Sequence, residues 1–301
     1  MVDTSQYPIA AQLLALCKLA GVTPRMFEAL FRHLGPPERI LKAASASILE
    51  LDGMTAEAAK RISSALNRLD EAQSLLDNLA SRDISVASRF TDGYPPLLFE
   101  LNDPPPLLFV RGRLTSPDKR SVAVIGAEVA TNEGIQMATR LAKRFAEEGV
   151  QMISSLSGGI DFAAHLGCKS ATGESFAVLD VGFDQLGGDE AMRLAIDIAQ
   201  AGGVISEHLP DEKPNLQAMA QANRVLIGLA QAVVVPEMYA DSARALDIVT
   251  CCNQIGKLTF FMVDPELGPL ADEESLSHAV QSGAIPIEGY DRLDEIIKAL
   301  V

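Results

Sequence analysis

The residues in this chain best suited to chemistry are small and hydroxylated ones set beside a charge, a pattern that serves anion binding. The run Ser154-Ser155-Leu156-Ser157-Gly158-Gly159-Ile160-Asp161 is the most informative, because a Gly-Gly at a helix start lets backbone amides and hydroxyls approach a phosphate closely. Gly126, ahead of Ala127-Glu128, and Glu237, behind Val233-Val234-Val235-Pro236, mark two further loops. Glu237 could accept from a ribose hydroxyl, as acidic residues do at strand ends, or cap the helix that follows. Asn223-Arg224 offers a cation that either grips a phosphate or pairs with an acidic neighbour such as Glu237. Asp161 and His165 stand four apart, on one helix face. They read as an acid/base pair or, with no nucleophile to serve, as a helix cap and a hydrogen-bonded packing residue. No catalytic residue is assigned, and the chain does not read as an enzyme. Neither GxxxxGK[ST] nor GxGxxG occurs, which argues against P-loop and dinucleotide chemistry. Four scattered His and four Cys (Cys17, Cys168, Cys251, Cys252) with no CxxC pair predict no metal site, disulfide framework or cofactor. Cys251 and Cys252 lie in a helical stretch and read as packing residues.

Those loops need strands and helices to hold them. From Ser121 the chain alternates short, continuously apolar runs with amphipathic segments. Strands are expected at Ser121–Ile125, Val150–Ser154, Ser175–Val181, Gly203–Ser206, Ala232–Val235 and Leu258–Val263, the last of them. Helices are expected at Asn132–Glu148, Ile160–Thr172, Glu190–Ala201 and Ala243–Ile255, and Val225–Leu229 reads as strand-like. Strands that are apolar on both faces and separated by helices predict a Rossmann-like, mostly parallel sheet covered on both sides. In such a sheet the ligand lies beyond the carboxyl ends of the strands.

Residues 1–85 read differently, as a small all-α domain with helices at Ala10–Ala20, Arg25–Leu34, Pro37–Ala44 and Ala56–Leu79. Ala20-Gly21-Val22-Thr23-Pro24 and Leu51-Asp52-Gly53-Met54-Thr55 each set a Gly turn before a Thr that can cap the next helix. Two such breaks suit a helix-hairpin-helix unit facing a DNA phosphate, or plain turns in a bundle, since neither turn holds a Lys or Arg. Residues 86–118, with Tyr94-Pro95-Pro96 and Pro104-Pro105-Pro106, read as an extended connector into a domain spanning 119–301.

The chain has 25 Lys+Arg against 40 Asp+Glu, a net charge of -15. Residues 1–90 hold ten of each sign, so the remaining 15 basic and 30 acidic side chains all lie beyond them. That balance runs against a non-specific nucleic-acid surface, which replaces counterions with cations. No apolar run approaches the roughly 18 residues of a membrane span, so a cytoplasmic protein with no membrane partner is expected.

The order of motifs resembles the DNA-processing protein A (DprA/Smf) family over nearly the whole chain. The resemblance rests on Tyr94-Pro95-Pro96-Leu97-Leu98, Pro104-Pro105-Pro106-Leu107-Leu108, Val110-Arg111-Gly112, Val122–Gly126, Ser154–Asp161 with Ala163-Ala164-His165, Ser206-Glu207, Asn223–Leu229, Val233–Glu237 and Ser282-Gly283-Ala284. It implies a sterile-alpha-motif-like or helix-hairpin-helix domain before an extended Rossmann domain. It further implies non-catalytic binding of single-stranded DNA, its transfer to a RecA-type recombinase during transformation, and a homodimer. The phosphate-binding set carried over is Gly126, Ser154, Ser155, Ser157, Gly158, Gly159, Asp161, Asn223, Arg224 and Glu237. The departures are cations. The family's Gly-Ser-Arg is Gly126-Ala127-Glu128, and its Ser-Gly-Leu-Ala-Arg-Gly-Ile-Asp has Gly158 in place of arginine. Its Arg-Arg-Asn-Arg is Gln221-Ala222-Asn223-Arg224, its Ser-Gly-Ser helix start falls at Ser242-Ala243-Arg244, and its Tyr-Pro is replaced around Leu186-Gly187. Of these cations only Arg224 remains, so two further functions stay open: a nucleotide- or phosphate-binding protein that has lost DNA binding, and a protein-interaction or regulatory paralogue.

Overall fold

The computed structural model describes residues 4–213, 215, 217–266 and 268–300. The chain divides into two compact units: residues up to Tyr94 with Asn102–Val110, and Pro95–Leu101 with the chain from Arg111 onward.

The first unit is helical. Its helices are α1 (Ile9–Leu14, continued by a π-turn over Ala15–Leu19), α2 (Pro24–Leu34), α3 (Pro37–Leu41), α4 (Ser45–Leu49), α5 (Ala56–Ser64) and α6 (Leu69–Ser81). Both expected threonine caps form: the Thr23 hydroxyl accepts from the Met26 amide and that of Thr55 from Ala58, at 3.3 and 3.1 Å. Gly21 and Gly53 hold the positive φ of their turns, +71° and +77°. Leu13, Phe27, Leu30, Ile40 and Ile62 close the core. The segment 86–118 is more than the extended connector its prolines suggest. β1 (Ser85–Ser88) pairs antiparallel with β2 (Leu107–Gly112), Ser85 opposite Val110 and Ser88 opposite Leu107, and Pro96–Glu100 forms a 3-10 turn. The prolines flank the ladder, where a missing N–H interrupts no hydrogen bond.

The second unit is the covered sheet. Its elements in chain order are β3 (Ser121–Val124), α7 (Asn132–Glu147), β4 (Gln151–Ser154), α8 (Gly159–Ser170), β5 (Ser175–Leu179), α9 (Asp189–Ala201), β6 (Gly203–Ser206), α10 (Ala218–Leu229), β7 (Ala232–Val235), β8 (Glu237–Met238), α11 (Ala243–Ile255), β9 (Leu258–Asp264), β10 (Gly268–Ala271), α12 (Glu273–Gln281), β11 (Ile285–Glu288) and α13 (Leu293–Ala299). The strands run parallel in the order β6-β5-β4-β3-β7-β9, with β11 parallel to β9 and β10 antiparallel to it. α7 and α8 bury Met137, Leu141, Phe145, Ile160 and Ala164 against Val122, Val124 and Met152. Two expectations fail here. Val225–Leu229 is the end of α10, buried on every side, and a short apolar run looks the same in a buried helix as in a buried strand. Leu258–Val263 is not the last strand, since β10 and β11 follow. β11 is four residues long with Pro286 inside it, too little pattern to read.

Candidate nucleic-acid interface

The loops at the carboxyl ends of β3, β4, β5 and β7 converge, and their glycines serve the backbone. A Cβ on Gly126 would lie 2.6 Å from the Glu237 carbonyl and 2.7 Å from the Ile160 side chain. Gly159, at φ +42°, would collide with the Ala127 carbonyl at 2.2 Å, and Gly158 has φ +114°. These glycines let the β3–α7 loop lie directly on the start of α8. The contact takes up helix-start amides that an anion would need: Ile160 donates to the Ala127 carbonyl at 3.1 Å and Asp161 to Gly158 at 3.0 Å.

The loop also holds an anion of its own. Asp161 is buried, and its carboxylate accepts the Ser155 hydroxyl and the backbone N–H groups of Gly126 and Ser155. Burial outweighs those hydrogen bonds and pushes the Asp161 carboxyl up to about 6. The Ser155 hydroxyl lies 2.8 Å from that of Ser157 and accepts the Ser157 amide at 3.1 Å. The Ser154 hydroxyl turns inward and donates to the Val124 carbonyl at 2.6 Å, tying β4 to β3. His165 Nε2 lies 3.1 Å from the Ser155 carbonyl and must donate to it, since a carbonyl only accepts. Burial pushes that imidazole down to about 4, so it is neutral at pH 7. Asp161 and His165 thus fix one serine from two sides and do not form an acid/base pair.

Glu237 plays neither role its position suggested. It lies in β8, fully buried, and takes the Thr131 amide at 2.9 Å and the Thr131 hydroxyl at 2.8 Å. Thr131 caps α7, so Glu237 secures a helix more than a hundred residues earlier. A Cβ on Gly134 would lie 1.5 Å from its carboxylate.

Arg224 does pair with an acid, but with Glu207 rather than Glu237. Its Nη2 contacts both Glu207 oxygens, at 2.8 and 2.7 Å, with both side chains mostly buried. Asn223 is fully buried and belongs to a second network: Nδ2 donates to Asp247 at 2.6 Å, and Oδ1 accepts from Arg244 Nη1 at 2.8 Å. Arg244 then pairs through Nη2 with Asp180. Arg244, Asp180, Asp247 and Glu207 are the residues sequence reasoning missed. The one available signal was Arg244 at a helix start that the family begins with small residues.

Arg244 is 4% exposed, and its Nε has no hydrogen-bond partner among the described residues. It borders a pocket of about 180 Å³ at the ends of β4 and β5, with Ser155, Ser157, Asp180, Gln185 and Gly187 around it. Arg224 and Arg244 are thus each paired with a carboxylate, Glu207 and Asp180, and of these four only Arg244 and Asp180 border the pocket. Among the described residues no cluster of His, Cys, Asp and Glu could hold a metal, and no helix is long and apolar enough to cross a membrane. Cys252 is buried and Cys251 half-buried, and desolvation raises both thiols, Cys252 to about 11.

The comparisons with known proteins agree with this architecture. Protein Smf of Synechocystis sp. is 29% identical over 287 residues, 94% of this chain and 71% of its own. The X-ray structure of DNA processing protein A from Streptococcus pneumoniae superposes with a TM-score of 0.74 at 24% identity, covering 95% of this chain and 97% of that one. The Helicobacter pylori DNA processing protein A, solved to reveal its single-stranded DNA binding mode, gives 0.63 at 20% identity, over 72% and 97%. The profile of the DNA recombination-mediator protein A family matches residues 85–298, and the chain belongs to that family of DNA-processing proteins.

Proposed function

We propose that this DNA-processing protein binds single-stranded DNA without catalysing a reaction on it, and presents that strand to a RecA-type recombinase as a cytoplasmic homodimer. Family membership supports the recombinase and the dimer, and the Helicobacter pylori protein of the same fold has a single-stranded DNA binding mode. In the geometry the reading is carried by one observation: Arg244, a cation on an otherwise buried helix start, lines a pocket beyond the carboxyl ends of β4 and β5 together with Ser155 and Ser157. One guanidinium with two serines in the same lining suits one phosphate. Arg224 is paired with Glu207 and is not in that lining, so affinity is modest and few phosphates are engaged.

Fluorescence anisotropy of a labelled oligothymidylate tests this. Binding is expected at about 20 mM salt and is largely lost by about 200 mM, with a log–log salt slope near -1 to -2 because about 0.7 counterion is released per single-strand phosphate. Glu207→Gln, which removes the carboxylate charge paired with Arg224, tightens binding by roughly tenfold, the low end of one charged hydrogen bond. Absence of binding at low salt by both the wild type and Glu207→Gln overturns the proposal. The size of the pocket, about 180 Å³, favours a second reading in which a free phosphate, or the phosphate end of a mononucleotide, is the ligand. A thermal shift with nucleotide and none with DNA would select it.

A further inference from the structure

Beside the polar pocket lies a second cavity of about 310 Å³, opened between α9 and the sheet. Leu179 and Leu186 line both, so the two cavities meet at that wall. Apart from Arg111 and Gln200, the second cavity has an apolar lining, which includes Phe183, Met192 and Ile196. Met192 and Ile196 are 51% and 60% exposed, unusual for large apolar side chains on a helix that covers a sheet. Arg111 lies with its Cζ 4.9 Å from the centre of the Phe183 ring. The stack holds a flat cation in place against an otherwise apolar wall.

We infer that this groove is a base slot: it takes one unstacked nucleobase of a single strand whose phosphate lies in the adjoining pocket. The inference rests on the single-stranded DNA reading above. Three observations point to this occupant. The volume is at the low end of the roughly 300–1,000 Å³ found for small-molecule sites, right for a single base with its sugar. The lining offers a guanidinium plane among aliphatic walls, a surface on which proteins stack unpaired bases. The shared wall at Leu179 and Leu186 places base slot and phosphate pocket side by side, as the two halves of one nucleotide require. The charge arithmetic of the polar pocket also calls for such a slot. One arginine already paired with Asp180 holds a phosphate weakly, and stacking adds affinity that does not depend on salt.

The test compares two labelled oligonucleotides of equal length, oligothymidylate and the same backbone carrying abasic sites, which have identical phosphates. The wild type is expected to prefer the base-bearing strand by roughly tenfold, the order that one stacked base contributes. Ala195→Phe fills the groove from its half-buried rim without changing charge, and should abolish that preference while leaving binding of the abasic strand unchanged. Arg111→Gln should reduce the preference severalfold. Circular dichroism and a thermal melt establish that each variant folds. If neither strand binds at low salt, the single-stranded DNA reading has failed. If both bind equally to the wild type, DNA binding stands and the base slot is wrong. If Ala195→Phe leaves the preference intact and instead changes the oligomeric state, the groove holds a second copy of the chain and the inference is overturned.

Discussion

The polar pocket at the ends of β4 and β5 and the apolar groove beside α9 share two leucines as walls, yet they are finished to different degrees. In and around the pocket the charges are answered from within the chain: Arg244, in its lining, by Asp180 and Asn223, and behind it Arg224 by Glu207 and Asp161 by the Ser155 hydroxyl. In the groove two large apolar side chains are left half in water and a cation rests on an aromatic ring. Buried polar groups that lack partners destabilise a fold, so the chain satisfies most of them itself, leaving Arg244 Nε, Asp161 Oδ1 and His165 Nδ1 without a partner among the described residues. Exposed apolar surface is tolerated, and can be kept for a ligand. The family's Gly-rich loop therefore persists here as architecture, and the unsatisfied surface has moved to the groove.

If the pocket is self-satisfied, breaking it should harm stability more than any change in the groove. Arg244→Met should produce the largest effect. It strips Asn223 and Asp180 of a charged donor and leaves Asp161 without its nearby cation. Removing one partner of a buried pair destabilises by about 3–5 kcal/mol, and Asp180, one-third exposed, places this case near the lower end, about 3 kcal/mol. Urea unfolding monitored by circular dichroism measures it, and a loss under about 1 kcal/mol would show that the network is not a structural unit.

Next in size is a pH effect hidden by cancellation. Burial raises Asp161 to about 6 from 3.8, so the folded protein binds this proton more tightly than the unfolded chain, and stability falls as pH rises from about 4 to 6. Burial lowers His165 to about 4 from 6.5, so its contribution is complete above 6.5 and is lost as pH falls toward 4. The slopes oppose each other, and the pair leaves stability nearly flat across that range. Asp161→Asn keeps the shape and removes one slope, exposing an acid loss of about 3 kcal/mol between pH 7 and 4 at about 1.4 kcal/mol per unit. A variant whose acid loss matches the wild type would mean that the two groups are not both buried in the folded state.

The sequence made the scaffold legible and hid the way the site is wired. The apolar runs read as strands at Ser121–Ile125, Val150–Ser154 and Ala232–Val235 are strands buried on both faces, and it is their alternation with helices of clear period that identifies them. Val225–Leu229 misled because this end of α10 is buried all round and shows no polar residue. Gly126, Gly158 and Gly159 were visible as a cluster, but an anion cradle and a tight backbone crossing demand the same residue, and only the 2.2 Å approach to the Ala127 carbonyl separates them. Arg244 escaped because its meaning lies in partners 64 and 21 positions away, Asp180 and Asn223. A charge is easy to see in a sequence. Its counter-charge is set by the fold, which is why Glu237 seemed a fair partner for Arg224 and Glu207 is the real one.

The smallest predicted effect bears most directly on the contrast between the two cavities. Met192 and Ile196 lie on the same helix as Leu194 and Ile198, and the sequence alone does not rank them. Leu194 and Ile198 are 5% and 3% exposed and belong to the core, so truncating either to Ala should destabilise by about 3 kcal/mol. Met192→Ser and Ile196→Ser should each cost no more than about 1 kcal/mol, because folding removes only about half of their surface from water. Thermal melts of the four variants side by side decide this. A loss above about 1 kcal/mol for either serine variant would mean that these side chains already hold the fold together, and the groove would then be structural packing with no surface left for a base. Near-neutral serine variants would leave Met192 and Ile196 as apolar area that folding does not use, and the reason for that area would lie in what binds there.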